Sequence, residues 1–195
     1  MNQSFQSLLS ELERFGEDND KTVAERPRRM LNITRNTGEF LSVLIRAMSA
    51  RRVLEIGTSN GYSTLGLASA ARVVSGMVTT VERSDYKVSL ARQTFSRSGL
   101  TDHITLVQED ANRFLERSPD ESADFLFLDS ERTEYPGWWL HLQRVLRPGG
   151  LLVVDNATSH AEEMAPFIAL VKTAADFATS QVPVGNGEFL AVKSS

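Results

Sequence analysis

Asp129 closes the hydrophobic run Phe125-Leu126-Phe127-Leu128, and Asp155-Asn156 closes Leu151-Leu152-Val153-Val154. If the two runs are neighbouring strands, two carboxylates and one amide oxygen meet at their ends. That donor set is hard and all-oxygen, suited to Mg²⁺, with Mn²⁺ or Ca²⁺ as alternatives and water completing the shell. Zinc is a poor match, because the chain has no Cys and its His residues stand apart at 103, 141 and 160. Read without a metal, Asp129 would cap a loop or touch a cofactor directly, and Asp155-Asn156 would be turn chemistry. Two more acidic positions end runs of their own. Glu82 closes Thr79-Thr80-Val81 27 residues after Glu55, about where a carboxylate accepts hydrogen bonds from both ribose hydroxyls. Asp110-Ala111 follows the next run, where a side chain or backbone amide can read an adenine edge; Asp110 serves equally as a helix N-cap.

The segment Val53-Leu54-Glu55-Ile56-Gly57-Thr58-Ser59-Asn60-Gly61-Tyr62-Ser63-Thr64 supplies the crevice for such a ligand. An apolar strand ends in a carboxylate, crosses a glycine turn and enters a helix, the arrangement that opens a site at the carboxyl end of a parallel sheet. The spacing is ExGxxxG. It lacks the close glycines with which GxGxxG approaches a pyrophosphate, and the Lys of a P-loop is absent. A nucleoside whose other arm carries no phosphate fits, and S-adenosylmethionine is such a molecule. A tight βα turn without any cofactor is the plainer alternative.

These residues need a scaffold, and the apolar pattern from Arg52 onward provides one. Strands are predicted near 52–57, 76–82, 104–108, 123–129 and 150–155, with helices near 61–71, 84–98, 111–117 and 134–146 between them. The alternation predicts a doubly wound, Rossmann-like α/β fold with helices on both faces. Arg147-Pro148-Gly149-Gly150 reads as a turn into the fifth strand. A helix near 160–174 precedes strands at about 177–182 and 188–193, whose hairpin-like spacing adds an antiparallel C-terminal edge, giving a seven-stranded, mostly parallel sheet. Upstream, Phe5, Leu8, Leu9, Leu12 and Phe15 predict an amphipathic helix over 3–15 ending at Gly16, its stripe buried on the domain or on a second subunit. Glu17-Asp18-Asn19-Asp20 reads as a connector. Asn36-Thr37-Gly38-Glu39 has capping-box spacing before the helix carrying Phe40, Leu41, Leu44, Ile45 and Met48. The expected organisation is one domain over 1–195, a helical extension at 1–50 followed by the α/β core at 51–195.

Composition bounds the function. The 195 residues are 41% hydrophobic and 24% charged, ordinary for a globular chain. No apolar run approaches the roughly 18 residues of a membrane helix, and Met1-Asn2-Gln3-Ser4 does not open a leader peptide. A cytoplasmic location is the default expectation. The net charge of −4 argues against nonspecific nucleic-acid binding. Between Lys21 and Arg52, however, eight Lys and Arg face only Glu25 and Glu39, an excess that suits either solvated helix faces or an anionic substrate.

From about Met30 to the C-terminus the chain resembles the bacterial branch of the cation-dependent class I O-methyltransferases, related to catechol and caffeoyl-CoA O-methyltransferases. The matching residues are Asn36-Thr37-Gly38-Glu39-Phe40-Leu41, Glu55-Ile56-Gly57 to Gly61-Tyr62-Ser63, Phe127-Leu128-Asp129 with Tyr135 beyond, Pro148-Gly149-Gly150, and Asp155-Asn156. The glycine turn is common to many class I methyltransferases; Asp129 with Asp155-Asn156 is specific to the cation-dependent group. The resemblance implies an S-adenosylmethionine site in which Glu55, Gly57 and Ser63, with Thr58 and Gly61 of the same turn, serve the methionine side. A residue near Ile33 would touch it by backbone, Glu82 would hold the ribose, and Asp110 or Ala111 the adenine. Asp129, Asp155 and Asn156 would be the metal ligands, with Asp129 also beside the cofactor and catalytic.

The chain departs from the family in two places. Members often read Asp-x-Asp-Lys after the fourth strand, whereas this chain reads Asp129-Ser130-Glu131-Arg132. Arg132 keeps the charge of the Lys that serves as base in the family, but a guanidinium does not readily give up its proton, so it suits phenolate stabilisation better than proton abstraction. The segment Ala157-Thr158-Ser159-His160-Ala161-Glu162-Glu163 lacks the aromatic-rich loop of the plant enzymes, which argues against an aromatic-CoA substrate. The expected activity is metal-assisted O-methylation of a catechol-like or vicinally oxygenated small molecule, by a chain expected to form a homodimer. Alternatives are a metal-independent methyltransferase using His160 as base, a tRNA hydroxyl methyltransferase of the same fold, and a nucleotide-binding regulatory module. Of Trp138 and Trp139, one is expected to wall the substrate pocket and at least one to pack a helix on the sheet.

Overall fold

The computed structural model describes residues 3–195; Met1 and Asn2, on which part of the leader reading rests, lie outside the described residues. Seven strands run β1 Arg52–Ile56, β2 Met77–Glu82, β3 Ile104–Gln108, β4 Ala123–Leu128, β5 Leu146–Val154, β6 Phe177–Val182 and β7 Glu188–Lys193. Seven helices accompany them: α1 Gln3–Thr22, α2 Arg35–Ala47, α3 Tyr62–Val73, α4 Asp85–Ser98, α5 Ala111–Arg117, α6 Tyr135–Val145 and α7 Ala161–Lys172. The sheet order is β3-β2-β1-β4-β5-β7-β6. The first five strands are parallel, and β7 inserts antiparallel between β5 and β6. The order reverses direction between β1 and β4, the switch point where such sheets bind ligands.

Strand periodicity separates two cores. Val53, Val78, Phe125, Phe127, Leu151 and Val153 face α1–α4, whereas Leu54, Val81, Leu126, Leu128, Leu152 and Val154 face α5–α7. β4 is buried along its whole length, as the centre of a sheet covered on both faces requires. Among the described residues, no helix is long and apolar enough to cross a membrane.

Three local expectations are corrected. The first helix does not stop at Gly16 but runs to Thr22, so Glu17–Asp20 is helical. Gly16 serves packing there: a Cβ at this position would meet the Asn32 amide at 2.4 Å. The polar end of α1 is functional in folding, because Asp20 accepts hydrogen bonds from the Met30 and Leu31 amides at 2.7 and 3.0 Å and so folds residues 23–34 back along the helix. The apolar stripe of α1 (Phe5, Leu8, Leu12) is buried within this chain's own core. Second, α2 is capped by Thr34, whose Oγ1 accepts from the Thr37 amide at 3.1 Å, and not by the Asn36-to-Glu39 box. Third, Arg147–Gly150 lies within β5 as a bulge, between the pairings Ala123–Leu146 and Phe125–Leu151.

Asp124 anchors the opposite end of the sheet from the switch point. Its carboxylate accepts from the Arg51 and Arg52 amides at 2.9 and 2.8 Å, from the Arg52 guanidinium at 2.7 Å and from Arg147 at 2.9 Å. Burial opposes its ionisation, but these donors prevail and hold its pKa at about 2. A depressed carboxyl stabilises the fold above its ordinary value and loses that contribution as pH falls through the folded one. Asp124→Asn should therefore cost about 2 kcal/mol in urea melts at pH 7, and the difference should vanish as pH approaches about 2.

Candidate active site

The turn after β1 is built on a buried carboxylate. Glu55 is fully enclosed and accepts from Ser63 Oγ at 2.6 Å, Thr64 Oγ1 at 2.5 Å and Thr80 Oγ1 at 2.6 Å. Those hydroxyls lie on α3 and β2, so one side chain gathers the strand end, the following helix and the adjacent strand. Desolvation raises the Glu55 pKa to about 7 against the three hydroxyl bonds. Above the carboxylate, Gly57 sits at φ +104°, and a Cβ there would lie 2.0 Å from the Asp129 carbonyl oxygen. Only glycine permits that approach, which seats the first turn against the end of β4. The backbone continues the stagger, since Asp129 donates to Ile56 O at 3.0 Å and Asp155 to Leu128 O at 3.1 Å.

A cavity of about 620 Å³ opens over these strand ends. Of the predicted cofactor residues, Gly57, Glu82, Asp110, Ala111 and Asp129 line it. Glu55, Thr58, Gly61 and Ser63 are buried beneath and shape the turn. Ile33 is buried too; its neighbours Met30, Leu31 and Asn32 supply the wall. Glu82 is held by two backbone donors, Ser59 N at 3.0 Å and Ser84 N at 2.9 Å, one on each carboxylate oxygen. Each oxygen keeps acceptor capacity for a ligand hydroxyl. Asp110 both lines the cavity and caps α5, accepting from Arg113 N at 3.2 Å.

Asp129, Asp155 and Asn156 converge at the other end of the same cavity. Asn156 adopts φ 68°, a left-handed conformation that Asn tolerates, and its Nδ2 donates to Asp155 Oδ2 at 2.9 Å and Asp129 Oδ1 at 3.4 Å. Burial, then the charges of Asp155 and Glu55, push the Asp129 carboxyl well above its usual range; burial also raises Asp155. Asp155 Oδ1 is buried with no hydrogen-bond donor. Two crowded carboxylates, one of them with an orphaned oxygen, fit a cation better than they fit each other. As placed, the Asn156 amide oxygen accepts from Ser159 Oγ at 3.2 Å. Among the described residues no three His, Cys, Asp or Glu side chains form a metal cluster by themselves.

Arg132 lines the cavity at 5% exposure, its Nε donating to Glu163 Oε2 at 2.9 Å. Tyr135 Oη accepts from Ser130 N at 2.7 Å and fixes the loop between Asp129 and Arg132. Trp138 lines the cavity, while Trp139 packs edge-on against Phe167. His160 also reaches the cavity, its Nδ1 within 3.0 Å of Ser159 Oγ. Sequence reading missed Ser59, whose Oγ donates to Met30 O at 2.7 Å and ties the turn to the 23–34 segment. It also missed Glu188, buried behind Asp155. Ser59 was legible only as an ordinary turn residue, and Glu188 only as a charge at a strand start.

The O-methyltransferase family model matches residues 6–193. A catechol O-methyltransferase of Niastella koreensis is 30% identical over 165 residues, covering 80% of this chain and 74% of that protein. A provisionally assigned O-methyltransferase of Mycobacterium sp. (strain JLS) is 36% identical over 126 residues, 64% of this chain; the matched stretch spans only 57% of that relative's length. In fold, the chain is similar to an O-methyltransferase from Bacillus cereus solved in complex with SAH, with a TM-score of 0.80, 24% identity, and coverage of 96% of this chain and 91% of that one.

The Glu55 geometry sets a pH dependence. Its folded pKa is raised, so its contribution to stability is complete below about 4.5 and is lost as pH rises through about 7. Between pH 5 and 8 the wild type should lose up to about 3 kcal/mol relative to Glu55→Gln. Parallel stability profiles for the two proteins would show that Glu55 does not titrate in the fold.

Proposed function

This chain belongs to the O-methyltransferase family, and from that premise we propose that it is an S-adenosylmethionine-dependent O-methyltransferase acting, with a divalent cation, on a catechol-like or vicinally oxygenated small molecule. The observation that carries the reading is the meeting of Asp129, Asp155 and Asn156 in the same cavity as Glu82. Glu82 would accept the ribose hydroxyls, Asp110 and Ala111 would meet the adenine, and the Gly57 turn would pass beneath the sulfonium arm. Ile33 and its neighbours would flank that arm, with Glu55, Thr58, Gly61 and Ser63 holding the turn from below.

Asp129, Asp155 and Asn156 would hold the cation. A divalent ion held by these residues would supply Lewis-acid charge that favours the ionised form of an acceptor hydroxyl. The chain's own residues do the rest. The ordered turn and strand ends fix an acceptor oxygen near the methyl carbon, an alignment worth up to ~7–11 kcal/mol where geometry is ideal. Arg132 cannot take the proton; held by Glu163, it presents a fixed positive charge to the oxygen that becomes anionic. Trp138 walls the cavity against water. His160 brings an imidazole to the cavity lining and is the second reading for a reaction without metal.

EDTA should abolish methyl transfer, and added Mg²⁺ should restore it; full activity in EDTA would move the base role to His160. Asp155→Ala should lower kcat at least about 100-fold while S-adenosylmethionine affinity by calorimetry stays near wild type. Glu82→Ala should show the opposite pattern, weakening S-adenosylmethionine by roughly 10-fold or more. NAD binding as tight as S-adenosylmethionine binding would sink the cofactor assignment.

A further inference from the structure

Glu188 begins β7, is fully buried, and belongs to none of the residues assigned above. Strand alternation places it on the face of Leu190, which packs toward the α1–α4 core. A carboxyl in that position is costly unless its oxygens are bonded. Oε1 is: it accepts from Thr37 Oγ1 at 3.0 Å, and Thr37 lies in the first turn of α2, itself fully buried. The antiparallel register that pairs Val154 with Phe189 sets Asp155 opposite Glu188 on the same face of the sheet. Asp155 Oδ2 is already engaged by Asn156. The oxygens left over, Asp155 Oδ1 and Glu188 Oε2, are both buried and have no hydrogen-bond donor.

The backbone around Glu188 is bound to the same loop. Asn186 O accepts from the Thr158 and Ser159 amides at 3.1 and 3.0 Å, and Gly187 O accepts from Ala157 N at 2.8 Å. The β6–β7 turn and the segment after Asn156 are therefore joined by backbone bonds, and the Thr37–Glu188 bond links them to α2.

We propose that Glu188 is a positioning residue for the cation site: bonded to Thr37 on one side and facing Asp155 on the other, it fixes the orientation of Asp155 and ties the Asp155-Asn156 loop to the start of α2. The proposal rests on the metal-assisted reading above. Partners that orient a ligand carboxylate are worth about 10–100-fold in metal affinity. Glu188 would not touch substrate or cofactor; it acts through Asp155.

The test is Mn²⁺ binding to the full chain, followed by the electron paramagnetic resonance of free Mn²⁺, with calorimetric S-adenosylmethionine affinity and thermal melts alongside. Glu188→Leu fills the same space without the hydrogen bonds and should bind Mn²⁺ about 10–100-fold more weakly with S-adenosylmethionine affinity unchanged. Glu188→Gln can donate to Asp155 and accept from Thr37, and should stay within about threefold of wild type, inside the range that separates it from the Leu variant. Thr37→Val, which removes only the outer bond, should fall between them and serves if the Leu variant does not melt cooperatively. A folded Glu188→Leu that binds Mn²⁺ like wild type overturns the proposal, as does a Glu188→Gln as weak as Leu or, with Leu unfolded, a Thr37→Val equal to wild type. Absence of Mn²⁺ binding in the wild type is a different result: it removes the metal-assisted reading and this proposal with it.

Discussion

Glu55 accepts three side-chain hydroxyl bonds in a space closed to water, and the position of nearly every other site residue follows from where that carboxylate is held. Ser63 and Thr64 place the start of α3, Thr80 places β2, and the turn between strand and helix is left with the path over Gly57 that brings it against the Asp129 carbonyl. A carboxylate buried without donors would be prohibitive, and one with three hydroxyls is tolerable but strained toward protonation. Its role is geometric: it sets the floor of the cavity from below, without lining it.

The same pattern recurs on a larger scale at the ends of β4 and β5. Hydrophobic strands bury Asp129 and Asp155 because strand register brings both ends to one level, and burial then raises their proton affinity. Asn156, turned into a left-handed conformation, meets both carboxylates. Arg132 carries charge on this side of the cavity without being able to give it up, and its pairing with Glu163 fixes where that charge lies. In the proposed reaction that fixed charge would stabilise an oxyanion.

The N-terminal segment closes the cavity from the remaining side. Its conduct depends on α1 extending past Gly16, because only then do Asn19 and Asp20 reach the Met30 and Leu31 amides. Ser59 completes the tie by bonding Met30 O, so that residues 23–34 are fastened to the far end of α1 and to the cofactor turn together.

Read as a sequence, the chain determined its strands, most of its helices, the seven-stranded and mostly parallel character of its sheet and the acidic residues that close its strands. These depend on periodicities of two and about 3.6 residues and on what glycine alone can do at a tight turn, all of which are local. It misplaced the end of α1, the cap of α2 and the Arg147–Gly150 bulge. Two of those depend on a partner distant along the chain, Asn32 against Gly16 and the β4 register against β5, whereas the Thr34 cap is a local choice between neighbouring capping residues. The sequence also marked both Glu55 and Glu82 as cofactor residues, one for the methionine side and one for the ribose. Tertiary structure separated them, enclosing one under three hydroxyls and leaving the other on the cavity wall, and it alone brought Glu188 to Asp155. Pairing between residues far apart along the chain is decided by how strands and helices pack, and no local pattern carries that information.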